Sequence, residues 1–235
     1  MANRRVLSEK AFNLQFASII TQKCGNVSAN NSMADKYNNM AEHRTGRSEV
    51  ALLLIDVISD FEFEDGEKLL TNALPAARRL AELKRRAKSH GIPVIYVNDN
   101  FGKWQEDFKA MVAEILAGTS RGREIVGILK PEDDDFYVLK PQRSAFFSTT
   151  LELLLENLGV KKLIMGGVST DICILGSAND AYMRDYELII PRDCVAAAEQ
   201  RYSDEALDLM ERTLNADTTP SAELALDHLE KAAGG

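Results

Sequence analysis

The sequence predicts an α/β fold, a three-layer α/β/α sandwich on a mostly parallel, doubly wound, six-stranded sheet. Two observations carry this: short unbroken apolar runs such as Val50–Ile55 (VALLLI), and stretches of helical spacing that alternate with them from residue 50 onward. A strand covered on both faces reads as a continuous apolar run, whereas a strand with one wet face alternates. Strands alternating with helices need crossover connections, which set neighbouring strands parallel and cover both faces of the sheet.

Taken in order, Val50–Ile55 is the first strand and runs into Asp56. Over residues 75–90, Ala77, Leu80, Leu83, Lys84 and Ala87 share one helical face, with Pro75 at the start and Gly91 as terminator. Residues 93–98 (PVIYVN) form the second strand, 101–116 an irregular helix, and Phe136–Lys140 (FYVLK) the third strand. Thr149 and Glu152 have capping-box spacing ahead of a helix whose Leu151, Leu154, Leu155 and Leu158 make one face and which Gly159 closes. Residues 162–167 (KLIMGG) form the fourth strand. A helix over 171–186 turns Ile174, Leu175, Ala178, Ala181 and Tyr182 inward. A fifth strand over 188–191, a last helix over 203–214 and an edge strand over 216–219, ahead of Pro220, complete the pattern.

The 235 residues are 45% hydrophobic and 27% charged, the balance of a globular protein and not of a disordered, collagenous or membrane chain. A net charge of -8 supplies no basic field to attract phosphates, so nucleic acid is not an expected partner. Residues 1–48 differ from the remainder: over the first 32, Arg4, Arg5, Lys10 and Lys23 face only Glu9. They read as a flexible N-terminal extension, with Met33 and Met40 as alternative starts, and residues 49–235 as one domain without internal repeats. The apolar stretch over 11–20 is interrupted by Asn13 and Gln15, too short to span a bilayer and poorer than a signal-peptide core. No membrane partner is expected. Cys24, Cys173 and Cys194 lie far apart with no CxxC pair, which suits free thiols in a reducing, cytoplasmic compartment. His43, His90 and His228 are scattered, so no metal site is expected.

Ligands of an open parallel sheet bind beyond the carboxyl ends of the strands, where strand order reverses. Asp56, Asn98 with Asp99, Lys140, and the segment Gly166-Gly167-Val168-Ser169-Thr170-Asp171-Ile172-Cys173 occupy those ends. Each has a plainer reading: Asp56 as a turn residue, Lys140 as a solvated strand end, Cys173 as a small buried hydrophobe. Together they form a specific chemistry. A thiol in the first turn of a helix beside a lysine is biased toward thiolate, and Asp56 can take its proton and pass it to a leaving amine. The expectation is a thiol pKa below that of an ordinary cysteine.

Three segments, Ile55-Asp56-x4-Phe61, Lys140-x3-Ser144-Ala145-Phe146-x2-Thr149 and Gly167-Val168-Ser169-Thr170-x2-Cys173-x6-Asp180-Ala181, resemble the isochorismatase-like cysteine hydrolases over roughly residues 50–220. That family includes nicotinamidases, N-carbamoylsarcosine amidohydrolase and ureidoacrylate or biuret hydrolases. The resemblance implies an Asp56, Lys140 and Cys173 triad, a cis Val168–Ser169 peptide, and an oxyanion hole from the backbone N–H groups of Ser169 and Cys173. It further implies a small-molecule substrate, no cofactor and a homo-oligomer, a dimer or a tetramer. Nicotinamidases carry a metal-binding Asp-x-His after the second strand, but this chain reads Asn98-Asp99-Asn100-Phe101-Gly102-Lys103-Trp104, which points away from nicotinamide. Isochorismatases proper cleave a vinyl ether without a nucleophilic cysteine, so Cys173 argues against that chemistry. The family's common Gln two places after the Asp is Ile58 here. Phe61, Phe101, Trp104 and Phe146 are candidate pocket walls and Asn98, Asn100 and Arg143 candidate polar contacts, each equally readable as core or rim. A non-catalytic binding or scaffold protein on the same fold is the alternative. A nucleotide-binding domain would show GxGxxG or GxxxxGK[ST] after the first strand, and neither occurs.

Overall fold

β1 (Val50–Ile55) occupies the middle of a six-stranded sheet, and all of its residues are buried. The computed structural model describes residues 47–100, 102 and 107–229. β2 (Val94–Asp99) pairs with β1 on one side, in the register Leu52↔Val94 to Ile55↔Val97. β4 (Lys162–Val168) pairs with it on the other, from Val50↔Lys162 to Ile55↔Gly167. β3 (Phe136–Lys140) flanks β2, β5 (Glu187–Ile189) flanks β4, and the short β6 (Val195–Ala196) pairs with the end of β4. Every ladder among the described residues is parallel, in the order β3-β2-β1-β4-β5 with β6 beside β4. The chain therefore winds outward from β1 through β2 to β3, then returns to the other side of β1 for β4. This reversal opens a crevice beyond the carboxyl ends of β1 and β4.

Alternate residues of β1 feed two apolar layers, as side chains of period two must. Val50, Leu52 and Leu54 pack with α1 (Gly66–Ser89), α2 (Phe108–Ala117) and α3 (Arg123–Ile128). Ala51, Leu53 and Ile55 pack with α4 (Leu151–Leu158), α5 (Leu175–Tyr182) and α6 (Gln200–Leu214). Each large aliphatic side chain buried in these layers contributes about 1.5–3 kcal/mol, which makes the two layers the main source of stability. A last turn, α7 (Leu226–Leu229), adds Leu226 to the first layer. No helix among the described residues is long and apolar enough to cross a membrane.

Several boundaries differ from the sequence expectation. α1 starts at Gly66 and carries Pro75 inside it, because Leu69 and Ala73 continue the buried stripe of Ala76, Ala77, Leu80 and Leu83. Their burial outweighs the roughly 3 kcal/mol that an interior proline costs. The capping box does not form: Thr150 holds the N-cap position, and Glu152 pairs instead with Arg184 at 3.0 Å. Thr149 still serves the helix start, its hydroxyl donating to Ala145 O at 2.7 Å and accepting from Leu151 N at 3.2 Å. The helix expected over 171–186 opens instead as a π-helical turn, Thr170–Ile174, before α5. The sixth strand is β6, whereas residues 216–219 make only the parallel bridge Ile189↔Asp217 before Pro220. The expected extension over 1–48 lies outside the described residues as far as residue 46, and so does the start of the helix expected over 101–116.

Candidate active site

Asp56 follows β1 directly in the left-handed region, with φ +52°, a conformation that aspartate tolerates better than most residues. Its backbone N–H donates to Val97 O at 3.0 Å, and its Oδ1 accepts from the backbone N–H of Asp99 at 2.8 Å. Lys140, the last residue of β3, is paired in register with Asp99 and is wholly buried. Its Nζ lies 2.8 Å from Asp56 Oδ2, 3.1 Å from Gln142 O, 3.6 Å from Asp99 Oδ2 and 3.6 Å from Cys173 Sγ. One buried ammonium thus joins two carboxylates and a thiol. A charge so enclosed is tolerable only with such partners.

Cys173 reaches this cluster through the end of β4. Gly167 has φ +125°, and a Cβ there would stand 2.0 Å from Ile55 O, so only glycine lets β4 pair this closely with β1 at the mouth of the crevice. The Val168–Ser169 peptide is cis. Ser169 O accepts from the N–H groups of Ile172 at 3.2 Å and Ile174 at 3.1 Å, which closes the wide turn carrying Cys173. Thr170, buried beneath it, shares a 2.8 Å hydroxyl hydrogen bond with Ser203 of α6. Single π turns of this kind concentrate at functional sites.

These groups open onto a cavity of about 510 Å³. Asp56, Asp99, Ser169 and Cys173 line it, and Phe61, Phe63, Leu69 and Ile172 give it apolar walls. Ala198 and Tyr202, which follow β6 in the chain, also line it, and Ser59, Glu64, Asp65 and Asp171 add polar groups.

Burial, then the charge of Asp56, push the Cys173 thiol up to about 12, although Lys140 pulls the other way. This corrects the expectation of a lowered thiol pKa: Lys140 does pull the thiol down, but desolvation and the neighbouring Asp56 exceed it. Asp56 itself is held above the ordinary carboxylate value by desolvation, against the lowering effect of Lys140 and of its hydrogen bonds to Cys173, Lys140 and Asp99. Burial alone would lower the Lys140 ammonium, yet Asp56, Cys173 and Asp99 together hold it above its usual value. Burial thus disfavours the charged forms of both Asp56 and Cys173, which are hydrogen-bonded to each other, while their partnership with Lys140 favours its ammonium.

Of the expected wall and contact residues, Phe61 lines the cavity, in a left-handed conformation with φ +57°. Four others are placed elsewhere. Asn98 is fully buried and its amide clasps the backbone of Ile58, donating to its carbonyl at 2.6 Å and accepting from its N–H at 3.2 Å. Asn100 accepts from Gly102 N at 3.0 Å outside the cavity lining. Phe146 belongs to the second apolar layer, its ring 6.0 Å from that of Tyr186. Arg143 is exposed and does not line the cavity. Phe101 and Trp104 lie outside the described residues.

Asp99 is the contact that sequence reasoning passed over in favour of its neighbour. The alternation of a strand was the available signal, since it sets Asn98 and Asp99 on opposite faces. Ala198 and Tyr202 carried no local signal, being brought in by the chain after β6. Among the described residues no group of three or more His, Cys, Asp or Glu side chains is placed to hold a metal ion. His90 is occupied elsewhere, between Arg86 O and Asp227, at 2.7 Å from each.

A family model described as the isochorismatase domain matches residues 50–223. The chain belongs to the isochorismatase family. It is 37% identical over 178 residues to an uncharacterised isochorismatase family protein of Bacillus subtilis, covering 76% of this chain and 97% of that one. A maleamate amidohydrolase of Pseudomonas putida is 28% identical over 182 residues, 74% of this chain and 83% of its own. The crystal structure of an isochorismatase family protein from Desulfovibrio vulgaris superposes with a TM-score of 0.62 at 26% identity, over 78% of this chain and 98% of that one. Asp56, Lys140 and Cys173 lie within the matched residues.

Proposed function

We propose that this protein is a cysteine hydrolase that cleaves the C–N bond of a small amide, ureide or carbamoyl compound, with Asp56, Lys140 and Cys173 as its catalytic residues. The observation that carries the reading is the buried ammonium of Lys140, 2.8 Å from Asp56 and 3.6 Å from the Cys173 sulfur, beside a cavity onto which both open. The maleamate amidohydrolase of Pseudomonas putida, a relative, adds support.

In the reaction so proposed, Cys173 Sγ attacks the substrate carbonyl as its proton passes to Asp56. With the thiol at about 12, little thiolate stands ready, and the proton moves as the carbon–sulfur bond forms. The carbonyl oxygen takes the charge and is held by the backbone N–H groups of Ser169 and Cys173. Asp56 then gives its proton to the departing nitrogen, the C–N bond breaks and a thioester remains. Water, deprotonated by Asp56, adds to the thioester; the thiol is reprotonated and the acid leaves. Lys140 keeps Asp56 in place and returns it to the carboxylate form between steps. Through the resemblance, the proposal extends to a cytoplasmic homo-oligomer that needs no cofactor.

The test is a screen of small amides, ureides and carbamoyl compounds for ammonia release, run with a chelator present. On any compound turned over, Cys173→Ala and Asp56→Asn are expected to lose about a thousandfold or more in kcat with an unchanged circular dichroism spectrum. Substantial turnover by folded Cys173→Ala would remove the nucleophile and the proposal with it.

A further inference from the structure

We propose that the cavity over Cys173 selects amides that carry a positive charge, an ammonium or guanidinium on the body of the molecule, and disfavours carboxylates. This deepens the hydrolase reading and rests on it for the reacting carbonyl.

The argument is one of charge around a half-enclosed space. Asp56, Glu64, Asp65, Asp99 and Asp171 all line the cavity. Against them, Lys140 is wholly buried behind the lining, with its donors turned to Asp56, Gln142 O, Asp99 and Cys173, so none is directed at a substrate carboxylate. Lys68 meets Asp65 at 3.0 Å, a pair exposed enough to be well screened. Asp171 accepts a hydrogen bond from the Ser169 hydroxyl beside the cis peptide, and no cation pairs with it among the described residues. Arg201, over the Tyr202 ring at 4.6 Å, is itself paired with Glu199 at 2.8 Å. The described lining is therefore negative, and the apolar walls sharpen the effect by lowering the local dielectric. Those walls are also partly aromatic, with Phe61 and Phe63, ring centroids 6.1 Å apart, and Tyr202 among the lining residues, and aromatic rings attract cations. A carboxylate would meet repulsion from Glu64 and Asp171 at the rim and from Asp99 deeper in. The preference sets this chain apart from a substrate such as maleamate, which is an anion.

The charge of the cavity can be read without any turnover. Two methanethiosulfonates of similar size, one bearing a trimethylammonium and one a sulfonate, each form a mixed disulfide with Cys173 and release methanesulfinate. Rates at Cys173 in the full chain, followed by peptide mapping and divided by those for β-mercaptoethanol, are expected to favour the cation about tenfold or more and to converge near 1 M salt. Glu64→Gln combined with Asp171→Asn should reduce the ratio severalfold. A ratio of one or below overturns the proposal, and so does failure of both reagents at Cys173 at an alkaline pH where neutral iodoacetamide labels it, since a cavity closed to them admits no such substrate. Turnover is measured alongside on γ-aminobutyramide, butyramide and succinamate, with kcat/KM expected in that order. Succinamate hydrolysed as well as γ-aminobutyramide overturns the charge preference. Ammonia from no amide, with the labelling ratio intact, overturns the hydrolase reading and supports the charge preference.

Discussion

Burial and the Asp56 carboxylate act on the Cys173 thiol in the same direction, Lys140 acts against them, and the thiol stands at about 12. Such a cysteine is a poor target for adventitious alkylation at neutral pH, yet it has an acceptor in hydrogen-bond contact once a carbonyl is presented. The balance can be tested one charge at a time. Asp56→Asn removes the carboxylate charge that, next to burial, does most to hold the thiol up, so the pH at which iodoacetamide labelling of Cys173 rises to half its limit should fall, by about a unit or more. Peptide mapping of labelling rates between about pH 7 and 11 reads this. An unmoved midpoint would assign the whole shift to burial. At this scale the sequence was informative about Asp56, Lys140 and Cys173, because each stands at a strand end or helix start where chemistry collects. It was misleading about Asn98, whose amide is consumed by the Ile58 backbone, and about the sign of the thiol shift. Desolvation depends on what packs around the sulfur, and no neighbour in sequence reports that.

Elements show the same division. The apolar stripes over α1 and α4 were plain in the spacing of their leucines and alanines, but their ends were decided by partners elsewhere in the chain. Gly66 starts α1 where its backbone comes against the Phe61 carbonyl, close enough that a Cβ would stand 2.0 Å from that oxygen. The start of α4 offers a discriminating measurement. Thr149 bonds both Ala145 O and Leu151 N, whereas Glu152 reaches across to Arg184 in a partly exposed pair. Thr149→Ala should therefore cost about 1–2 kcal/mol in urea unfolding. Glu152→Gln should cost less than about 1 kcal/mol. The reverse order would restore the capping box that the sequence spacing suggests.

For the whole molecule, the buried thiols link stability to alkaline pH. Cys173 and Cys194 are both pushed up to about 12 from an ordinary value of 9.0, chiefly by burial, and burial also raises the Tyr96 hydroxyl. Groups with raised folded pKa values contribute stability that is complete below the unfolded value and is lost as pH rises toward the folded one, because the unfolded chain releases its protons first. The melting temperature should thus decline from about pH 9 toward 11, and more shallowly in Cys194→Ala than in the parent. Equal slopes would show that Cys194 does not take part. Sequence by itself determined the alternation of buried strands and amphipathic helices, hence a parallel sheet with two apolar layers, and with the sheet the edge at which Asp56, Lys140 and Cys173 must gather. Those features depend on local periodicity, which a chain carries residue by residue. Tertiary structure alone decided that Ala198 and Tyr202 line the cavity, that its lining is acidic, and that the thiol is pushed up rather than down. Each of these depends on groups far apart in sequence meeting in a space of low dielectric, where desolvation and neighbouring charge outweigh what any side chain brings on its own.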